Sequence, residues 1–342
     1  MTFPQALHKQ KERLTHIGAG QLCFGFFALF CLLLILKNAD IAIEYMSRGL
    51  LLCARTVIPS LFPFMVLSEL IVSGGFGAAL FRHIPRAVRR PFGLSESGCC
   101  ALLLGMLCGF PVGAKCTVLA FRQGRMSRTE AERVLAFSAN PSSAFLISAV
   151  GTSLWGSRRF GVALYATVLA VGLLCGFLLN LFYKERKEAY SSAPGILLES
   201  TPPLTGAKLF TEAVRSATGS ILLVCAYVIF FSALIGTLNL VLSPLGLPAE
   251  LHAGLFCLFE LSGGVSQAAS LGSSRFAAML CAFAAGWSGL SVHCQILSVC
   301  DGCGFSFRPY FAAKLLQGIL CALVFGILLA IFPTLMFPGV GV

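Results

Sequence analysis

Charged side chains are scarce in this 342-residue chain, where Asp, Glu, Lys and Arg together supply only 11% of the residues. Soluble globular domains carry about a quarter of such residues, so the shortage excludes a soluble domain. Hydrophobic residues instead make up 57% of the chain, and its mean hydropathy is +0.87. We therefore predict an integral membrane protein, with the lipid bilayer as a partner.

The sequence also lacks the motifs of common enzymes. It has no Gly-rich phosphate loop, no HExxH zinc motif, no GxSxG nucleophile elbow and no recognisable nucleotide-binding module. One cysteine pair has a metal-like spacing, Cys300 and Cys303 in CDGC, but the second pair that a zinc site requires is missing. We therefore predict no enzyme, no metal, no cofactor and no direct use of ATP.

Acidic residues are fewer than basic ones, 14 against 25, and the net charge is +11. In a soluble protein this excess would suggest a nucleic-acid partner. Here the basic residues stand in short loops between apolar runs, where they determine the topology and contact anionic lipid headgroups. We therefore predict that the protein does not bind nucleic acid.

Long apolar runs dominate the sequence. A spanning helix needs roughly 20 apolar residues, and these runs are too long and uniform for the alternating strands of a barrel. The first run is too long for the core of a cleavable signal and has no cleavage site after it, so we expect it to remain as a spanning helix. The runs are 17–36, 48–74, 98–121, 134–152, 160–183, 217–242, 252–271, 275–299 and 309–335.

Basic loops flank the run 98–121 on both sides. Residues 82–96 and 122–133 each contain four arginines, and basic loops stay on the cytoplasmic side of a membrane. We therefore expect the run between them to enter the membrane and return. A turn at Gly109–Gly113 would allow this, because glycine accepts the angles of a tight turn and Pro111 donates no backbone hydrogen bond. Irregular backbone at this depth is tolerated only inside protein or beside a wet cavity.

Two halves of the sequence repeat one order: a spanning run, two broken runs and a final spanning run. The break CGFPVGAK (108–115) matches LSGGVSQ (261–267), and ANPSSAF (139–145) matches AGWSGLS (285–291). If the first broken run of each half is a hairpin, the second half is inverted relative to the first. We predict an all-α polytopic fold of the inverted-repeat transporter type, with re-entrant or discontinuous helices. Close packing of small residues is the alternative explanation of the breaks.

A polar linker with SSAPG and TPP separates the halves. We divide the chain into an N-terminal cytoplasmic segment with the first transmembrane helix (1–44), a first repeat (45–183), a cytoplasmic linker (184–216) and a second repeat (217–342).

The first-half breaks contain candidate groups for an anion site. Lys115 could be a fixed positive charge facing an anionic substrate, with free N–H groups of a helix starting near Val112 directed to the same place; snorkelling to the interface is the alternative. Asn140 would cap a second half-helix, unless this segment is an ordinary kink. The candidates for substrate binding are Gly109, Phe110, Pro111, Gly113, Lys115, Asn140, Ser142 and Ser143.

Polar residues also surround the breaks of the second half. Glu260 could carry a proton or pair with Lys115. His293 changes its charge near neutral pH, although a structural hydrogen bond is the commoner role of a lone buried histidine. Glu69 is a third candidate for proton coupling, or an interfacial residue at a helix end. The substrate-binding candidates of this half are Ser262, Gly263, Gly264, Ser266, Gln267, Trp287, Ser288, Ser291 and Gln295.

Four segments resemble a known family: IPSLFPFMVLSELI (58–71), GFPVGAK (109–115), MSRTEAERVLAFSANPS (126–142) and GLSVHCQ (289–295). They are similar to the YlbJ, or SpoVV, family of sporulation integral membrane proteins, within the nucleoside-recognition, or Gate-domain, membrane superfamily. The resemblance implies two Gate-like repeats and a role in the mother cell of endospore-forming bacteria. It also implies the movement of dipicolinic acid across the outer forespore membrane.

Three functions remain open at this point. The first is the transport of a small organic anion, with dipicolinate as the expected substrate: Lys115 and two helix N-termini suit two carboxylates, and Trp287 or Phe110 could stack on the aromatic ring. The second is the transport of a nucleoside or another small solute, and the third is a non-transporting sporulation scaffold. The energy source and the oligomeric state, a homo-oligomer included, are not determined.

Overall fold

The computed structural model describes residues 19–74, 89–182 and 206–332, and every regular element within them is helical. Five helices in these ranges are long and apolar enough to cross a membrane: Ala39–Ser73, Arg158–Phe182, Ala207–Leu245, Arg275–Val299 and Arg308–Ile331. Large apolar side chains such as Leu51, Leu174, Leu222 and Leu323 are exposed on their outer surfaces, as expected for helices that face lipid. The prediction of an all-α polytopic membrane protein is confirmed.

The first half begins with α1 (Ala19–Lys37) and a long helix made of α2 (Ala39–Leu52), the π-helical turn π1 (Cys53–Val57) and α3 (Ile58–Ser73). Then follow α4 (Glu96–Cys108), α5 (Phe110–Arg122), α6 (Arg128–Ser138), the π-helix π2 (Ala144–Leu154) and α7 (Arg158–Phe182). The predicted linker is largely outside the described residues.

The second half has the same order of elements. It consists of the long α8 (Ala207–Leu242), α9 (Ala249–Phe259), α10 (Leu261–Ser270), α11 (Arg275–Trp287), α12 (Gly289–Val299) and α13 (Arg308–Ile331). Short 3₁₀ turns stand at Arg90–Phe92 and Ser243–Leu245.

Helices α4 and α5 form a hairpin that reverses at one residue, Gly109. Its φ of 101° is available to glycine and rarely to other residues. The predicted five-residue turn Gly109–Gly113 is therefore wrong in its extent, because Pro111 fits the first turn of α5 and the helix resumes at once. Gly113 instead allows close packing: a methyl group there would lie 2.9 Å from the Cα of Gly105 on α4.

Helices α9 and α10 form the matching hairpin of the second half. Its break lies at Glu260, whose φ of −146° is extended, and the predicted break at Gly263 and Gly264 is wrong because both glycines are helical. The Glu260 carboxylate accepts hydrogen bonds from the backbone N–H groups of Ser262 and Gly263 and thereby starts α10. Gly264 packs on the backbone of Cys257 across the hairpin.

The second broken run of each half is a discontinuous helix. In the first half, residues 139–142 separate α6 from π2; in the second, Ser288 with φ 76° and Gly289 with φ 79° separate α11 from α12. The predicted Asn140 cap is wrong, since the N–H of Phe145 donates to Ser142 Oγ at 3.2 Å instead. The Asn140 side chain faces α13.

Each hairpin tip touches the break of the discontinuous helix in its own half. A methyl group on Gly109 would lie 3.2 Å from Ser142 Cβ, and one on Gly289 would lie 3.0 Å from the Cα of Glu260. Phe110 and Ser142 of the first half also line one cavity with Glu260 and Val292 of the second, so the tips and breaks of both halves lie close together.

The two hairpins open toward opposite faces. We call the side with loops 89–95, 123–127 and 300–307 the basic face, since Arg122 donates to the carbonyl of Asp301 at 3.0 Å and Ser306 N–H donates to Glu132 at 2.8 Å. The opposite side, with loops 155–157, 243–248 and 271–274, is the distal face. Helices α4 and α5 open to the basic face, and α9 and α10 to the distal face, as an inverted repeat requires.

Candidate functional site

A cavity with a volume of about 640 Å³ runs from the distal face to the tip of the second hairpin. This volume is in the range of pockets that hold small molecules. Tyr45 and Arg48 line it near the distal face, and Phe145 and Glu260 line its deep end. We call it the distal cavity.

Two arginines give the distal cavity its positive charge. Arg48 pairs with Glu44 one helical turn away and lies over the ring of Tyr45, with 5.2 Å from its Cζ to the ring centroid. Arg55, on π1, lines the same cavity and is exposed. Within the described part of the chain, no carboxylate lies within ion-pair distance of Arg55. Its guanidinium is therefore available to an anionic ligand.

A smaller cavity of about 40 Å³ lies between the breaks of the two halves, and we call it the central cavity. It shares Ser60, Phe145, Glu260 and Ser262 with the distal cavity, so the two are neighbours. The Gln295 side chain, 3% exposed, also lines it, and its Oε1 accepts no hydrogen bond from any described residue. An unused acceptor next to a cavity is available to a ligand.

The structure brings many of the predicted site residues to these two cavities. Phe110, Ser142 and Gln295 line the central cavity, and Glu260 and Ser262 line both. The distal cavity adds Gly263, Ser266 and Gln267.

Lys115 lies outside both cavities, on the basic-face side of the first hairpin tip. Its Nζ is 2.8 Å from Glu69 Oε2 and donates to the hydroxyls of Ser216 and Ser220 on α8. Lys115 thus pairs with Glu69 and not with Glu260. The adjoining void, which Pro111 also lines, has a volume of about 10 Å³, which leaves space for one water at most. The ion pair therefore has no large cavity beside it, in contrast to the tip of the second hairpin.

The N-terminus of α10 already holds a carboxylate. Glu260 is 4% exposed and occupies the backbone N–H groups of Ser262 and Gly263, two of the predicted substrate-binding residues. An external anion could use these donors only after the Glu260 side chain moves away.

Asn140 takes part in a buried network that the sequence reasoning did not identify. Its Oδ1 accepts from Gln317 Nε2 at 2.8 Å and from Lys314 Nζ at 3.4 Å, and Lys314 is fully buried. The sequence feature that could have identified this network is the single lysine within the apolar run 309–335. Arg48 and Arg55 were also missed, and the signal for Arg55 was likewise an isolated charge in the apolar run 48–74.

The remaining predicted residues make structural contacts. His293 Nδ1 and the Tyr310 hydroxyl are 2.7 Å apart, and Trp287 Nε1 donates to the carbonyl of Leu258 at 3.0 Å. The Trp287 ring lies against His293 and lines neither cavity. Ser143 donates to the carbonyl of Leu107, and Ser291 accepts from Gln295. Ser288 stands at the break itself.

The CDGC pair lies at the basic face. Burial raises the pKa of Cys300 to about 12, and the neighbouring Cys303 adds to this shift. A thiol with so high a pKa is a poor metal ligand. The described residues contain no group of three or more His, Cys, Asp or Glu side chains that could hold a metal ion.

Comparison with known proteins finds a relative that matches most of the chain. The sporulation integral membrane protein YlbJ of Bacillus subtilis (strain 168) is 27% identical over 333 aligned residues, which cover 88% of this chain and 81% of that protein. No protein-family model and no solved structure matches the chain. The predicted relationship to YlbJ is confirmed.

Proposed function

We propose that this relative of YlbJ is a transporter that moves a small organic anion across a sporulation membrane by alternating access, with dipicolinate as the substrate. The observation that carries the proposal is an asymmetry: the distal cavity of about 640 Å³ reaches the paired helix breaks, whereas the Lys115–Glu69 ion pair on the other side adjoins only a void of about 10 Å³. Inverted repeats of this kind expose a central site to each side in turn.

The charge of the pathway supports an anionic substrate. Arg48 and Arg55 line the distal cavity, and a guanidinium binds a carboxylate through two parallel hydrogen bonds. Phe145 and Tyr45 line the same cavity and offer ring faces to a planar aromatic dianion.

Lys115 takes its proposed role in the opposite conformation. With the basic-face side open, its bond to Glu69 breaks and the ammonium becomes available to an anion entering from that side. The lysine is then both a part of the gate and a first contact of the substrate. This explains why a cation and a carboxylate stand together directly after the hairpin tip.

The charge of the loops gives the proposed orientation of the protein in the membrane. The basic face corresponds to the cytoplasm, because Arg-rich loops stay there. In the outer forespore membrane the basic face would contact the mother-cell cytoplasm and the distal face the intermembrane space. Dipicolinate would enter at Lys115 and leave through the distal cavity.

One observation favours the second candidate, a nucleoside carrier. The lining of the central cavity is mostly apolar, and its polar members include Gln295, Ser142 and Glu260 but no described basic residue. Such a surface suits a neutral solute with hydroxyl and amide groups. A competition experiment separates the two candidates.

Uptake of radiolabelled dipicolinate into liposomes that contain the purified protein tests the proposal. Wild-type protein should transport dipicolinate, and excess nucleoside should leave the rate unchanged. Arg55→Gln should lower uptake about tenfold or more, since a charged hydrogen bond contributes roughly 1.5–3 kcal/mol, while Arg55→Lys should retain part of it. Absence of dipicolinate uptake, or inhibition by nucleosides, would refute the assignment.

A further inference from the structure

Lys314 is the most deeply buried charged side chain that the transport proposal leaves without a role. It lies in the spanning helix α13 with 0% exposure. Its Nζ donates to the carbonyl of Ala139 at 2.9 Å, to Gln317 Oε1 at 2.9 Å and to Asn140 Oδ1 at 3.4 Å. Among the residues that the structure describes, no carboxylate lies within 4 Å of this nitrogen. The ammonium is therefore held by neutral oxygens alone.

These acceptors form a built cage at the break of the first discontinuous helix. Ala139 follows the last residue of α6, so its carbonyl stands at the negative end of that helix. Gln317 Nε2 donates to Asn140 Oδ1 at 2.8 Å and to the carbonyl of Val168 at 3.1 Å, which directs its Oε1 toward Lys314. Gly172 makes room, since a methyl group there would lie 3.0 Å from Gln317 Nε2.

The arrangement has the chemistry of a cation site. Carbonyl oxygens at the end of a half-helix hold the coupling Na⁺ or H⁺ in many secondary transporters. Here the chain's own ammonium stands among such oxygens. Because each acceptor is neutral, loss of a proton from Lys314 leaves no unpaired charge behind. Lys115 differs, since its deprotonation would leave the Glu69 carboxylate without a counter-charge.

Among the titratable groups around the cage, no carboxylate in the described ranges forms an ion pair with Lys314. The four charged residues of α6 contact one another or the basic-face loops. The hydrogen bonds to the loops join Arg128 with Gly304, Glu130 with Ser95, Glu132 with Ser306 and Arg133 with Gly93. The nearest titratable groups on the packed helices are the thiols of Cys175 on α7 and Cys321 on α13, His293 on α12, and Tyr310 on α13, which is bonded to His293. The arginines of these helices stand at helix starts: Arg158 and Arg159 on α7, Arg275 on α11 and Arg308 on α13.

We propose that Lys314, Asn140, Gln317 and the Ala139 carbonyl form the proton site of the transporter, and that Lys314 releases and regains one proton in each cycle. The ammonium gives its proton to water and becomes an amine, and no other bond is made or broken. The amine binds the Ala139 carbonyl more weakly, so the break is released from α13 and can move. This inference rests on the proposed transport function and names its coupling ion.

Two variants test the site by opposite means. Lys314→Arg retains the positive charge but cannot release a proton at accessible pH. Gln317→Glu retains the lysine and gives it a carboxylate partner. A pH gradient should stimulate dipicolinate uptake severalfold in liposomes that contain the wild-type protein. It should not change uptake by either variant. If either variant follows the gradient as wild type does, Lys314 is not the coupling site.

A second measurement does not depend on transport. In protein with ¹⁵N-labelled lysine, Lys314→Arg identifies the Nζ signal of Lys314, and Lys208, exposed on α8, supplies a reference signal. We expect the Lys314 signal to change from ammonium to amine while the protein stays folded, whereas in Gln317→Glu it should remain ammonium. A wild-type Lys314 signal that remains ammonium until the protein unfolds would overturn the proposal. Normal titration without any flux would refute the transport function alone.

Discussion

Lys115 and Lys314 both lie beside a helix break, but their partners differ in charge. Lys115 faces the Glu69 carboxylate and two serine hydroxyls near the basic face, with its side chain 29% exposed. Lys314 is fully buried and faces only amide and carbonyl oxygens. An ammonium paired with a carboxylate, as Lys115 is, can form part of the proposed gate. A charge with neutral partners can change its protonation state.

The largest expected effect tests the role of the Lys115–Glu69 ion pair in the gate. Lys115→Ala removes the ammonium and leaves the largely buried Glu69 carboxylate unpaired, so we expect dipicolinate uptake to fall between about tenfold and a hundredfold. Insertion into the membrane should be unchanged, as measured by extraction and detergent gel filtration. The matched control is Lys208→Ala, a lysine exposed on α8. Equal uptake by the two variants would show that Lys115 has no role in transport.

The next effect concerns Gly109, where the tip of the α4–α5 hairpin touches the break between α6 and π2. Gly109→Ala puts a methyl group 3.2 Å from Ser142 Cβ at a φ of 101°, and we expect a loss of roughly 1–3 kcal/mol in stability. Gly156→Ala also has positive φ, 63°, but its methyl group would meet no atom within 4 Å. Thermal unfolding in detergent should show a larger loss for Gly109→Ala; equal losses would show that backbone strain alone is involved.

A smaller effect measures the ion pair itself. Glu69→Gln and Lys115→Met, alone and together, form a double-mutant cycle. Because the Lys115 side chain is 29% exposed, solvent screens the pair, and we expect a coupling free energy of about 1 kcal/mol or less in unfolding experiments. A coupling energy of zero would indicate that the serines, and not Glu69, hold the lysine.

The smallest effect concerns a thiol outside the membrane-spanning helices. Since the pKa of Cys300 is raised to about 12, the thiolate is scarce at pH 8 and increases only as the pH rises toward that value. We expect iodoacetamide to leave Cys300 unlabelled at pH 8 in the folded protein and to label it once the protein is denatured. Rapid labelling of Cys300 at pH 8 would show that the CDGC loop opens.

The sequence predicted the order of the elements well, because apolar length and breaker residues act locally. The run 98–121 gave the α4–α5 hairpin, and the breaks near 139–142 and 288 lie where glycine, proline and serine interrupt apolar runs. Exact tips were harder to predict. Glu260 ends a helix because its own carboxylate caps the next one, and this cap outweighs the two glycines that follow.

The partners of the candidate residues could not be predicted, since they come from distant segments. Lys115 is paired through α3 and α8, 46 residues before it and 101 after it. Lys314 reaches Ala139 across 175 residues of sequence. No local pattern distinguishes a lysine with a carboxylate partner from one with a carbonyl partner.

A comparison of two charge-conserving variants tests the central claim most directly. Uptake of dipicolinate into liposomes is measured with and without a pH gradient for Lys115→Arg and Lys314→Arg. We predict that uptake by Lys115→Arg, whatever its rate, still rises with the gradient because an arginine can pair with Glu69, whereas uptake by Lys314→Arg does not respond. An identical response of the two variants to the gradient would contradict the assignment of different roles to the two lysines.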